Sequence, residues 1–394
     1  MLTIPSVHPY LMTVLLEDPS EREQLTALTH DSWTTIIEEA IAQRLAALLF
    51  RRLNHSNDQH LVPRHLLQLL TQQMVRQTAW SLLLTNELEH ILTACKTRGI
   101  TCIPIRGPVF AAQLYGDCSM RQIDDLDILV HREDLSAIRD MFDQFGYLRH
   151  EQQPGFLEAF SYSLEFIHPQ HGLIVEPHWT LAYPPFVAAT DMAPVWARTV
   201  KQQWMNRETW ALGQEDLLLH LCLHLLHKGE HAPLLWYYEL DRLIRQQHSR
   251  LSWNIFVPHA QEIGQAALIA DVLATVMYHF HSTIPDSIMR RLLSPSRPSH
   301  SIPLRPIRDH MLAQPSLYGR EEFALLCSLQ GFRQKIRYTY ALLFPSVQFM
   351  SRRYGLSSPI GLIHSYITRA CYLLWQGCKL VSAWLLSTLG ARQS

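Results

Sequence analysis

Charge is scarce in this 394-residue chain. Asp, Glu, Lys and Arg make up 18% of it, and the two signs nearly cancel to a formal net charge of −1. A chain so balanced has no general attraction for polyanions, so anion binding has to be local and nucleic acid is not the expected partner. The seven cysteines are odd in number and form no C-x-x-C pair, which excludes a disulfide scaffold and points to a reducing cytoplasm. The short apolar run Tyr10–Leu16 lacks preceding basic residues and does not read as a signal peptide. Internal repeats, long low-complexity tracts and an H-E-x-x-H pattern are all missing. Apolar residues are not: at 47% they are ample for a core, and the length favours two or three packed units.

The most informative stretch is Thr101–Val130. A β-rich run, Cys102-Ile103-Pro104-Ile105, leads directly into Arg106-Gly107-Pro108 and then a helical segment. Gly107 lets backbone approach a ligand closely, and Pro108 suits the first turn of a helix. Free N–H groups at a helix start attract anions, and Arg106 adds a bidentate phosphate donor. About eighteen residues on comes Asp125-Leu126-Asp127-Ile128-Leu129-Val130, a strand that opens on two carboxylates. Residues i and i+2 of a strand share a face, roughly 7 Å apart at Cα, so these carboxylates repel unless a cation joins them. Hard oxygen ligands of this kind suit Mg²⁺ or Mn²⁺. A phosphate cradle ahead of a D-x-D strand is a layout for metal-dependent nucleotidyl transfer.

These residues carry a resemblance. The order Arg106-Gly107, Tyr115-Gly116, Arg121, Asp125-Leu126-Asp127, the hydrophobic run and Gly146-Tyr147 resembles the uncharacterised bacterial nucleotidyltransferase-like family of the polymerase-beta-type superfamily. An acidic residue just before His-Trp in that family is matched by Glu176-Pro177-His178-Trp179, and the likeness runs from about 30 to 370. Arg stands at 106 where Lys is usual, and the Gly-Ser of better-known superfamily members is missing. The resemblance implies an α+β fold, a small mixed-sheet nucleotidyltransferase core flanked by N- and C-terminal helical regions. It also implies transfer of a nucleoside monophosphate from an NTP to a hydroxyl or amine of an unknown small-molecule, peptide or protein acceptor. Asp125, Asp127 and Glu176 would hold Mg²⁺ or Mn²⁺, with Glu176 also available to take the acceptor's proton. Arg106, Gly107 and Arg121 would bind the nucleotide. The alternative is a non-catalytic nucleotide- or partner-binding protein on the same fold.

Patterning around this core predicts a helical region at 1–87, the nucleotidyltransferase-like core at 88–190, a helical region at 191–293, a linker at 294–306 and a C-terminal helical region at 307–394. Residues 31–53 read as helical, with Asp31-Ser32 able to cap, and 63–98 as one or two long helices stopped by Gly99. Glu133–Phe145 reads as an amphipathic helix closed by Gly146. The runs 160–167 and 172–179 read as a hairpin that places Glu176 near its end, before Pro184-Pro185 closes the unit. His220, His224, His227 and His231 recur at helical spacing and are expected to pack, a zinc site being the less favoured reading. Arg121 can face phosphate or pair with Asp117, and Asp241 can face the cleft or pair with Arg245. The apolar stretch Ile363–Leu389 is broken by Arg369, Gln376 and Lys379, which makes it a poor spanning helix. Burial against the protein and an interfacial position on a membrane surface both remain open for it, as do RNA contact and an ordinary basic face for the residues around Arg333 and Arg352.

Overall fold

A computed structural model describes residues 2–18, 21–149, 153, 155–183, 190–247, 250–294, 325–326, 329, 331–355 and 358–390. The architecture is α+β, a small mixed sheet among many helices. Its strands are β1 (Cys102–Pro104), β2 (Asp125–Val130), β3 (Leu148–Arg149), β4 (Phe166–Ile167) and β5 (Ile174–His178), in the order β1-β2-β5-β4-β3. β2 runs antiparallel to β1 and parallel to β5, with Asp127 opposite Glu176 and Leu129 opposite His178.

Strand alternation decides where the carboxylates point. Leu126, Ile128 and Val130 enter a core with Leu84, Leu88 and Ile91 of the helix Arg64–Thr97 and with Ile138 and Phe142 of the helix Leu135–Gln144. Leu129 belongs to the other core, where Ile103 and Ile105 meet the helices Gln214–Lys228, Leu234–Gln247 and Ala266–Phe280. Both faces of β2 are therefore covered, which is why its sequence ends in an unbroken apolar run. Asp125 and Asp127 share the parity of Leu129 and face the helical layer.

Several expectations hold, and several need correction. The 63–98 segment is a single helix, Arg64–Thr97, stopped by Gly99 at φ 71°. The 31–53 segment is two helices, His30–Ala42 and Ala46–His55, because Arg44 takes a left-handed φ of 62°. Its cap is Thr29, whose side chain accepts from the Ser32 N–H, rather than Asp31-Ser32. The first hairpin strand is shorter than expected: Phe156–Phe160 is helical, and only Phe166–Ile167 pairs continuously with β5. The mostly helical 190–290 region contains a two-stranded hairpin, β6 (Val200–Trp204) and β7 (Arg207–Ala211). Its polar strands, joined at Met205 with φ 52° rather than at a glycine, give no apolar alternation to read.

The segment 295–306 of the expected linker, and Pro184-Pro185, lie outside the described residues. Beyond them are the helices Phe332–Leu343, Val347–Tyr354 and Pro359–Gly390, with the expected break at Pro345. Phe156, Phe160, Tyr338 and Ala341 form a small core that ties the first of these to the sheet region. No helix among the described residues is long and apolar enough to cross a membrane.

Candidate active site

The β1-to-helix turn builds one side of the site. Arg106 is extended, Gly107 takes φ 71°, and the helix Gly107–Tyr115 starts with Pro108 in its first turn. A Cβ at Gly107 would meet Leu126 at an ordinary 3.6 Å, so the positive φ, rather than close approach, selects glycine here. This turn carries the Arg106 guanidinium onto the Asp127 carboxylate in a buried ion pair. Arg106 Nη1 also donates to His224 Nε2 at 2.6 Å, and its Nε has no partner among the described residues.

The strands build the other side. Because β2 and β5 are parallel and in register, Asp127 and Glu176 face the helical layer side by side, and His178, two residues beyond Glu176, joins them. His178 Nε2 donates to Asp127 Oδ1 at 3.1 Å and lies 3.6 Å from Glu176 Oε2. Ser163 Oγ donates to the same Glu176 oxygen at 3.2 Å. Ligand atoms of Asp127, Glu176 and His178 all lie within 4.8 Å of one another, the spacing a metal ion needs. No other group among the described residues meets it, so the histidine row of helix Gln214–Lys228 makes no zinc site there.

Electrostatics distinguish the two aspartates. Burial, and then the charge of Asp127, raises the Asp125 carboxyl to about 6, against the pull of Arg106. Burial would raise Asp127 too, but Arg106 and the hydrogen bond from His178 hold it well below the usual carboxylate range. For His178, burial favours the neutral ring, yet Asp127 and Glu176 outweigh it and raise the imidazole to about 9. The residues therefore fit a divalent cation. Three carboxylates, Asp125, Asp127 and Glu176, face two cations, Arg106 and protonated His178, and His178 can ligate a metal ion only after giving up its proton.

The four histidines do not act as one row. His220 and His224 are buried, and burial together with Arg106 keeps both neutral. His224 Nδ1 is 3.0 Å from the Tyr183 hydroxyl, so its protonated edge faces Tyr183 and its lone pair faces Arg106. His227 stacks on the Tyr183 ring. His231 leaves the face altogether, because the helix ends at Lys228 and His231 sits exposed in the turn Gly229–His231.

Arg121 is buried, and its Nε donates to Glu239 at 2.8 Å. The expected surface partner Asp117 instead accepts from the Ser119 N–H. Asp241 takes the structural alternative, pairing with Arg245 at 2.8 Å and with the Ser282 hydroxyl.

A cavity of about 720 Å³ opens beside these groups, lined by Arg106, Arg121 and Asp125 together with Arg44, Lys228 and Trp236. Asp127, Glu176 and His178 do not line it. Arg106, present in both places, is the link between cavity and metal-spaced cluster. Gly107, expected at the nucleotide, is buried and does not line the cavity either.

A family model described as an uncharacterised nucleotidyltransferase matches residues 29–280, well over half of the chain. The chain belongs to that nucleotidyltransferase family. Neither a curated protein nor a solved structure matches it. The matched span takes in every residue of the cavity wall from Ala42 to Trp236 and the whole cluster on β2 and β5.

Sequence reasoning passed over several residues the fold brings here. His178 stood beside Glu176 in the quoted motif, and its i+2 spacing on one strand was the signal that both share a face. Arg44, Tyr183, Lys228 and Glu239 gave none. Arg44, Tyr183 and Glu239 meet Asp124, His224 and Arg121 across 80, 41 and 118 residues, and no local period links such positions.

Proposed function

We propose that this protein moves a nucleoside monophosphate from an NTP to a hydroxyl or amine of an acceptor, releasing pyrophosphate. The observation that carries the reading is the metal-ion spacing of Asp127, Glu176 and His178 on β2 and β5, with Asp125 two residues before Asp127 on the same strand and in the wall of an arginine-lined cavity. Asp125, Asp127 and Glu176 would hold the divalent ion, Mg²⁺ or Mn²⁺, with His178 joining them once its proton has left. When bound, that ion supplies neutralisation of triphosphate charge. Arg106 offers its unpartnered Nε and Arg121 its place in the cavity wall to phosphate oxygens. Arg44 and Lys228 add positive charge to the same wall, in a chain without a Gly-Ser grip.

In the reaction the acceptor oxygen or nitrogen forms a bond to the α-phosphorus while the bond from that phosphorus to the pyrophosphate oxygen breaks. The acceptor's proton goes to Glu176, which Ser163 and His178 orient. Catalysis here is a matter of positioning and charge.

The test is calorimetry of NTP binding with Mg²⁺, in wild type and in Asp125→Asn/Asp127→Asn, followed by a search for pyrophosphate with labelled NTP and candidate acceptors. Binding that needs the ion and collapses in the double variant supports the reading. Equal affinity with a chelator present rejects the site. A wild type that binds NTP with Mg²⁺ but releases pyrophosphate with no acceptor leaves a nucleotide-docking module instead.

A further inference from the structure

Beyond residue 280, where the family match ends, the chain changes character. From Phe323 to Ser394 it carries eight Lys or Arg residues and not one Asp or Glu, although the whole protein is nearly neutral. The same region exposes several large apolar side chains. On the helix Pro359–Gly390, Ile360, Ile363, Ile367 and Leu374 are 82%, 61%, 59% and 58% exposed, at a spacing that lines them along one side. On the helix Phe332–Leu343, Phe332, Ile336 and Tyr340 repeat every fourth residue, and all are exposed. Trp375 and Tyr354 add exposed aromatic rings.

We infer that these C-terminal helices dock the protein on an anionic lipid bilayer, lying in its interface without crossing it. A row of isoleucines, leucine and aromatic rings in water wants an apolar medium, and such helices sink their apolar side to the headgroup–acyl boundary. Charge selects which apolar medium. Arg333, Arg337, Arg353 and Lys379 are exposed among the apolar residues, and no carboxylate in the region offsets them. A second copy of the chain would bring the same positive field against itself, which disfavours self-association through this face. Anionic headgroups complete it, each basic residue near such a surface adding attraction. The amphipathic stems suit that place too: the Lys379 ammonium sits 3.5 Å from the Trp375 ring centroid, and the Arg369 guanidinium lies over Phe349. RNA would be met by stacking aromatics and arginines, whereas the longest exposed row here is aliphatic. The core of Phe156, Phe160, Tyr338 and Ala341 attaches these helices to the sheet region, so docking holds the whole protein at the bilayer.

Vesicle sedimentation of the full chain tests this independently of nucleotidyl transfer. The protein should pellet with phosphatidylcholine–phosphatidylglycerol vesicles, remain in solution with phosphatidylcholine alone, and be released by high salt. Ile363→Asp/Ile367→Asp alters exposed positions only. It should cut vesicle partition by about tenfold or more while NTP binding and the circular dichroism spectrum stay as in wild type. Arg333→Gln/Arg337→Gln should weaken binding and lower its salt dependence. The inference is overturned if the wild type ignores anionic vesicles or the isoleucine variant pellets like wild type. It is also overturned if an RNA homopolymer, or dimer formation blocked by the isoleucine variant, accounts for the surface while vesicles do not bind.

Discussion

The guanidinium of Arg106 lies on the carboxylate of Asp127, both almost fully out of solvent, and couples the cavity wall to the metal-spaced cluster. A cation arriving at Asp127 competes with Arg106, and Arg106 is free to leave only if another anion receives it. On the proposed reaction the triphosphate is that anion. Mg²⁺ alone should therefore bind weakly and NTP alone weakly, while each strengthens the other. Calorimetric titration of Mg²⁺ with and without a non-hydrolysable NTP measures this, and equal affinities in the two titrations would refute the exchange. Arg106→Ala should destabilise the fold by about 3–5 kcal/mol, since it leaves Asp127 as a buried charge with His178 as its remaining cationic partner.

The proposed role of Glu176 as proton acceptor separates binding from chemistry. Glu176→Gln keeps shape and hydrogen-bonding atoms but cannot take a proton, so NTP binding should persist while transfer falls by roughly two to four powers of ten. Single-turnover assays with labelled NTP report the two separately. A variant that transfers at the wild-type rate removes Glu176 from the mechanism.

Arg121 and Glu239 form a pair that serves the fold as well as the cavity wall. Burial raises the Glu239 carboxyl, and Arg121 opposes that rise. Arg121→Ala would leave Glu239 with only the Tyr115 hydroxyl, at 3.4 Å, and should cost about 3–5 kcal/mol in urea unfolding. Arg121→Ala/Glu239→Leu, which removes both charges, should be clearly milder. A double variant as unstable as the single one would show that the charge pair is not the cause.

The histidines give stability a maximum near neutrality in metal-free buffer. Burial holds His220 and His224 well below the ordinary imidazole value and His227 at about 4. Below about pH 6.5 the unfolded chain takes up protons that these folded rings refuse, so stability falls as pH drops. His178 works in the opposite sense. Its folded value of about 9 means that its contribution is complete below about 6.5 and is lost as pH rises to 9. Each titrating group contributes a slope of up to about 1.4 kcal/mol per pH unit; the raised Asp125 carboxyl offsets one of the three rings below about pH 6, and the remaining two against one still make the acid limb the steeper. Urea midpoints from pH 5 to 9 should peak between about 6 and 7. A midpoint that rises steadily from pH 5 to 9 would contradict these burials.

Much of the site is local in the chain, and that part the sequence determined by itself. The strand Asp125–Val130 is legible because two charges open an apolar β run, the turn at Arg106-Gly107-Pro108 because each residue type restricts backbone or binds anions, and the place of Glu176 because it sits in a strand ending before Trp179. The α+β class follows from those strands set among long apolar periods. Tertiary structure alone decided what each charge meets. Only the parallel register of β2 and β5 sets Glu176 beside Asp127, and only helix packing lays His224 on Arg106 and Glu239 on Arg121, each 118 residues away. The break at Arg44 and the hairpin Val200–Ala211 were hidden for the same reason. Their backbone conformations are imposed by contacts distant in the chain, and intrinsic propensity is too weak to announce what packing overrides.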